Sequence, residues 1–276
     1  MTDDDYETRG IRRLLRELGG FSKNALGNFF SLEFLALLLP LLLLWEFLPR
    51  AGLIPESLLP PLSTVAATFW DMLLRRSLVL HILYSLGRFF IAFGLAVALA
   101  VPIGMLMGWN QKVRAFILPL WQLLAPIPPP AWVPMTIIIF GIGSSMHIFL
   151  MSIGIFYPVL FNTYQGIKDT DPRYLASARV FGASEFTLLR KVYFWHAFGS
   201  IIMSLKTGVA MGLVMLVIGE AYGGRMGIGF LLGQAKDYFL IPEMMVCMMV
   251  TGFIGWFLIE ILKYVELKLA IWKVGR

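Results

Sequence analysis

Charge is the scarcest commodity in this 276-residue chain: Asp, Glu, Lys and Arg together make up 14%, against 58% hydrophobic residues. A soluble domain sits near 45–50% apolar and about 25% charged, and a surface built from this composition would not stay in water. A soluble enzyme is therefore excluded. The abundance of apolar side chains also excludes a disordered chain. Cysteine is nearly absent: Cys247 stands alone in an apolar run, so no intramolecular disulfide can form. The three histidines, His81, His147 and His196, are too far apart for metal-ligand spacing. There is no Gly-x-x-x-x-Gly-Lys-Ser/Thr phosphate loop, so this chain is not itself an ATPase. The acidic start, Met1-Thr2-Asp3-Asp4-Asp5, is unlike a cleaved signal peptide, and the first apolar segment is expected to stay in the mature protein.

The apolar residues are gathered into runs long enough to span a bilayer. Phe34–Leu48 is the first and Phe89–Gly108, twenty uncharged residues, the second. Between Ala115 and Ile167 there is no charged residue. That stretch is too long for one helix and is expected to form two, joined at Gly141-Ile142-Gly143-Ser144-Ser145. Phe194–Gly219, holding Lys206, and Ile241–Leu262 complete six spans. Sixteen of the 23 Lys and Arg residues fall in the N-terminal tail, the loop after span two, the loop after span four and the C-terminal tail; five fall on the opposite side. The excess places both termini in the cytoplasm. The net charge of +6 is thus read as topology, with no nucleic-acid partner.

Three domains follow: a cytoplasmic amphipathic segment 1–31, a transmembrane domain 32–264 and a basic tail 265–276. In the first, Ile11, Leu14, Leu15 and Leu18 share one helix face, opposite Arg12, Arg13 and Arg16. Such a helix lies at the lipid interface; a generic anchor and a specific partner contact are both open. Val65–Leu74 is expected as a short helix on the outer side.

Span three contains five prolines in nine residues, Pro126 to Pro134. Their missing backbone donors rule out regular helix, and unwound backbone at membrane depth must be buried in protein or line a cavity. Pro128, Pro129, Pro130 and Trp132 are pathway candidates, with a packing kink as the alternative. The loop 168–191 is long, basic and punctuated. Asp169 or Asp171 can cap a helix, Pro172 suits its first position, Gly182 can end it and Ser184 can cap the next. The expected product is a compact helix-turn-helix knob. Such punctuation says only that something docks there.

Leu175-Ala176-Ser177-Ala178-Arg179-Val180-Phe181-Gly182-Ala183-Ser184 resembles the EAA loop of permeases in binding-protein-dependent ABC importers. Two departures stand out: Ala176 holds the acidic position, and Phe194-Trp195 replaces the Leu-Pro pair. Ala125 to Pro134 followed by Phe140-Gly141-Ile142-Gly143, with Ser85-Leu86-Gly87-Arg88, Phe161 to Gly166, and Gly219-Glu220-Ala221 before Gly227-Ile228-Gly229, resembles the nitrate/sulfonate/bicarbonate (taurine) branch. The resemblance covers roughly Pro55 to Leu262.

The resemblance implies an all-α type I importer permease in the bacterial inner membrane. It would form a homodimer and serve two ATP-binding subunits, which bind the ATP and Mg; this chain holds no cofactor or metal. A periplasmic or lipid-anchored binding protein would deliver a small oxyanion. An uncharged solute such as a thiamine-precursor pyrimidine is the alternative. Leu175, Ala176, Ser177, Ala178, Arg179, Gly182, Ala183 and Ser184 would couple to the ATPase.

Lys206 and Glu220 are the remaining pathway candidates. Lys206 can attract an anion or pair with a carboxylate; Glu220 can belong to an outer gate or be a helix-end carboxylate held by loop amides. Arg88 suits a headgroup or loop contact. The methionines from Met203 to Met249 are read as flexible packing rather than copper ligands. An intramembrane hydrolase lacks paired aspartates and His-Glu-x-x-His, and His196 with Ser200 has no carboxylate nearby. A passive channel would have no use for the knob.

Overall fold

The computed structural model describes residues 32–269. The expected amphipathic segment 1–31 and the end of the basic tail lie outside that range. The described residues are helical, and they divide into two compact units at Ala67/Thr68.

The first unit holds α1 (Leu32–Arg50) and the first residues of α2 (Leu62–Arg75). Glu46 organises it. Its carboxylate accepts from Ser63 N and Ser63 Oγ, both at 2.9 Å, and pairs with Arg50 at 2.8 Å. Trp45 Nε1 donates to Pro60 O at 3.0 Å. Three polar groups near the end of an apolar helix thereby fold the proline-rich connection back on it.

The second unit contains the remaining helices. The order is α3 (Leu78–Trp109), α4 (Gln111–Leu124), a 3₁₀ turn (Pro129–Ala131), α5 (Trp132–Phe140), α6 (Ser144–Lys168), α7 (Pro172–Val180) and α8 (Glu185–Leu188). A π turn (Leu189–Tyr193) leads into α9 (Phe194–Gly223), followed by α10 (Ile228–Asp237) and α11 (Ile241–Leu269). Among the described residues, four stretches are long and apolar enough to cross a membrane: α3, α6, Glu185–Gly223 and α11.

The core is α6 packed between α3 and α9. On α3 the face turned to α6 carries Phe89, Ala92, Ala96 and Ala100, all buried, while Ile91, Leu95 and Leu99 are exposed. This inverts the habit of a soluble helix. Lipid is as good a solvent for leucine as a protein core is, so helices meet where small side chains let backbones approach. Gly104 shows the result: a Cβ there would sit 2.7 Å from Leu160 O. The singled-out methionines serve packing in at least one case, since Met215 is buried and its Cγ occupies the space a side chain at Gly154 would need.

One expectation is corrected. The uncharged run predicts a second span that starts at Phe89, just after Arg88. The helix in fact begins at Leu78, so Arg88 lies in its third turn. A charge ends an apolar run in sequence but not a helix in space when a buried partner neutralises it. A second helix, α10, was not anticipated, because its ten residues follow a glycine cluster that reads as loop.

Candidate functional site

The segment 168–191 folds as its punctuation demands. Asp171 accepts from Arg173 N at 2.8 Å as N-cap, with Pro172 opening α7. Ala183 N reaches back to Ala178 O at 3.0 Å and Gly182 N to Arg179 O at 2.9 Å. These are the two bonds of a glycine-terminated helix end. Gly182 has φ +76°, a left-handed conformation costing a residue with a Cβ about 1–2 kcal/mol. Ser184 Oγ then accepts from Thr187 N at 3.3 Å and caps α8.

The knob has two faces. Leu175, Ala178 and Ala183 are half-buried and Leu188 is wholly buried, so this side is held to the bundle. Ala176, Ser177 and Arg179 face outward. Beside them Val180, Phe181 and Phe186 are 85%, 89% and 70% exposed. Together they form an apolar crest that the described residues leave uncovered. Arg179 Nη2 meets Glu185 Oε1 at 3.1 Å across the Gly182 turn, fixing α7 against α8.

The proline-rich break lies where expected. α4 stops at Leu124, a 3₁₀ turn covers Pro129–Ala131, and α5 resumes at Trp132. Pro128 and Pro130 are exposed; Trp132 is half-buried against the main core. Nearby, Trp121 stacks on Phe161 at 4.3 Å between ring centroids. A cleft of about 560 Å³ lies elsewhere, lined by Leu95 and Leu99 of α3, Phe140 of α5 and Phe149, Ser152 and Phe156 of α6. None of the pathway candidates lines it.

Both cations placed within the spans are paired. Lys206 Nζ meets Glu266 Oε2 at 2.6 Å, joining α9 to α11. Arg88 Nη1 meets Glu220 Oε1 at 2.8 Å and also donates to Met226 O at 2.7 Å, while its Nε donates to Ser144 Oγ at 3.2 Å. Glu220, fully buried, accepts in addition from Ser85 Oγ at 2.8 Å and from Gly229 N at 3.0 Å. Ser85 Oγ takes a bond from Ile228 N, and His81 Nδ1 one from Gly227 N at 3.0 Å. Gly227, at φ +133°, sits so close to the Glu220 carboxylate that no side chain fits.

Three helices and one glycine-rich turn thus converge on a single buried carboxylate. His81, Ser85 and Arg88 follow i, i+4, i+7 spacing, a polar stripe along an apolar helix that sequence inspection can find. Glu266 and Glu185 carried no such signal.

Arg88 of α3 meets Ser144 at the start of α6, and Gly104 and Gly108 meet Leu160 and Ile167 further along both, so the two helices run parallel. Trp109, at the far end of α3, donates to Glu185 of the knob at 3.3 Å. Lys112 and Arg114, which follow Trp109, therefore lie on the knob's side of the bundle.

An all-helical bundle with several apolar spans and a capped knob between two of them is the architecture of a multi-pass membrane protein. The family of binding-protein-dependent transport system inner membrane components matches residues 100–265, and this chain belongs to it. It is similar to the taurine transport system permease protein of Escherichia coli, 30% identical over 230 residues that cover 82% of this chain and 80% of that protein. It is also similar to the bicarbonate transport system permease protein of Synechococcus elongatus, 27% identical and covering 80% of this chain and 83% of that one. Its fold is that of the permease in an inward-facing MetNI methionine ABC transporter, with a TM-score of 0.55 at 18% identity, covering 72% of this chain and 96% of that one.

The chain is accordingly a permease subunit of an ABC importer in the inner membrane. ATP hydrolysis belongs to separate ATP-binding subunits, and a substrate-binding protein serves the system.

Proposed function

We propose that this permease works as a homodimer with both termini in the cytoplasm and conducts a small oxyanion of the nitrate, sulfonate or bicarbonate class. The six spans are α1, α3, the broken α4–α5 pair, α6, α8–α9 and α11. The knob enters a groove on the ATPase: a crest of Val180, Phe181 and Phe186 gains free energy when an apolar groove removes it from water. That exposed crest is the observation that carries the reading. ATP-driven closure of the ATPase pair moves the knobs, and the spans alternate between inward- and outward-open arrangements. The break at Pro128, Pro129 and Pro130, followed by Trp132 at the start of α5, is the part of the wall where the α-helix is interrupted. The relatives named for taurine and bicarbonate support the substrate class.

One observation favours a second reading. With Lys206 on Glu266 and Arg88 on Glu220, neither intramembrane cation is left to hold an anion. An uncharged solute, such as a thiamine-precursor pyrimidine, crosses such a path without a counter-charge.

The test is uptake into proteoliposomes holding the permease, its neighbouring ATPase and its binding protein, with nitrate, bicarbonate, taurine, an alkanesulfonate and the pyrimidine offered separately. ATP-dependent uptake of one oxyanion supports the first reading. Uptake of the pyrimidine alone supports the second. Flux indifferent to ATP defeats both.

A further inference from the structure

The covalent route from the knob into the membrane passes through an irregular helical turn. α8 has only four residues and runs into the π turn Leu189–Tyr193, where Phe194 N bonds Leu189 O instead of continuing the α-helical pattern. An insertion of this kind interrupts the regular ladder and is a frequent companion of functional sites.

A second route bypasses the turn. Glu185 uses both carboxylate oxygens: Oε1 accepts from Arg179 of α7, and Oε2 accepts from Trp109 Nε1, the last residue of α3. The same end of α3 is locked to α6. At Gly108 the side chain of Ile167 occupies the place of a Cβ, and at Gly104 Leu160 O and Thr163 do so. Val101 and Met105 of α3 pack with Tyr193 of the π turn on the cluster of Ile167, Ala197 and Ile201. The ends of three spans are thus one packed body, and the Glu185–Trp109 bond reaches it laterally.

We propose that Glu185 is a positioning residue that ties the knob to the end of α3, so that knob motion is delivered to α3 and α6 directly and not only through the π turn. The proposal rests on the permease reading. The carboxylate does this with ordinary surface chemistry. In the free subunit Arg179 and Glu185 are half-exposed, and such a pair holds weakly in water. When the crest beside it is covered by the ATPase, water is displaced and the same charges interact in a lower dielectric. The tie tightens when the knob is engaged, which is when force must pass.

The experiment measures solute transported per ATP hydrolysed by the reconstituted complex, with ATPase co-purification and thermal stability as parallel readouts. Trp109→Phe removes the indole N–H and keeps a ring. Glu185→Ala removes both bonds, and Glu185→Gln keeps an oxygen that can accept from Trp109. Expected is a fall of about threefold or more in transport per ATP for W109F and E185A. E185Q should retain more than E185A, with ATPase co-purifying as in the wild type.

Unchanged transport per ATP in both W109F and E185A overturns the proposal. Loss of ATPase co-purification in E185A also overturns it, by making Glu185 a docking contact. Equal loss in E185Q and E185A with a normal W109F shows that the bond to Trp109 is not the carrier. Failure of the importer reading looks different, since the wild-type complex would then show no ATP-driven uptake at all.

Discussion

Arg88 and Glu220, 132 positions apart, meet at 2.8 Å with the carboxylate fully shielded from solvent. The pair is also bonded to Ser85, Met226 O and Gly229 N. It joins the first turns of α3 to the last turns of α9 and to the glycine-rich turn before α10. Removing one partner strands the other, which in buried pairs costs about 3–5 kcal/mol. Arg88→Ala and Glu220→Ala are each expected to destabilise the permease on that scale. Denaturant titration of the detergent-solubilised protein, followed by circular dichroism, measures this; a loss below about 1 kcal/mol for both would contradict it.

The pair of Lys206 and Glu266 gives a different expectation. If pairing is what Lys206 does, then Lys206→Ala and Glu266→Ala are each harmful, and the double variant is better than their sum predicts. A coupling of about 0.5–3 kcal/mol is the usual range for residues in contact. Should Lys206→Ala abolish uptake of an anionic solute while Glu266→Ala leaves it unchanged, Lys206 serves the substrate instead. The stability cycle and the uptake assay together separate the two.

For the knob, backbone and crest are expected to fail in distinguishable ways. Gly182→Val forces a β-branched residue to φ +76° and removes the turn that sets α7 against α8. Ser184→Ala loses the cap of α8, about 1 kcal/mol. Both should weaken ATPase co-purification, with G182V the more severe.

Phe181→Asp acts on the surface alone. The side chain is 89% exposed, so thermal stability should stay within about 0.5 kcal/mol of the wild type. ATPase co-purification should nevertheless fall sharply, because the crest loses its apolar contact and gains a charge that must be desolvated. A destabilised but fully ATPase-bound F181D variant would show that the crest is structural.

The small-residue seam of α3 makes a further prediction. Gly104→Leu has no room beside Leu160 O and Thr163, so α3 and α6 must separate or the variant must misfold. Gly94→Leu, on the same helix with nothing within 4 Å of the added Cβ, should be tolerated. Comparing expression and melting of the two variants checks that the seam, not helix propensity, decides the outcome.

The sequence by itself determined what is governed by neighbours a few positions apart. Long uncharged runs became helices because a membrane leaves the backbone no other partner. Asp171, Pro172, Gly182 and Ser184 placed the knob's turns because capping bonds reach only one to five residues. The proline-rich break fell where five backbone donors are missing. Tertiary structure alone decided which charges meet, because nothing local tells Arg88 that Glu220 will lie beside it once α6 has drawn α3 and α9 together. The start of α3 was misplaced for the same reason: a buried charge looks like a boundary until its partner is known. Lys206 on Glu266 and Glu185 on Trp109 are likewise products of packing, since each joins two helices that lie dozens of positions apart in the chain.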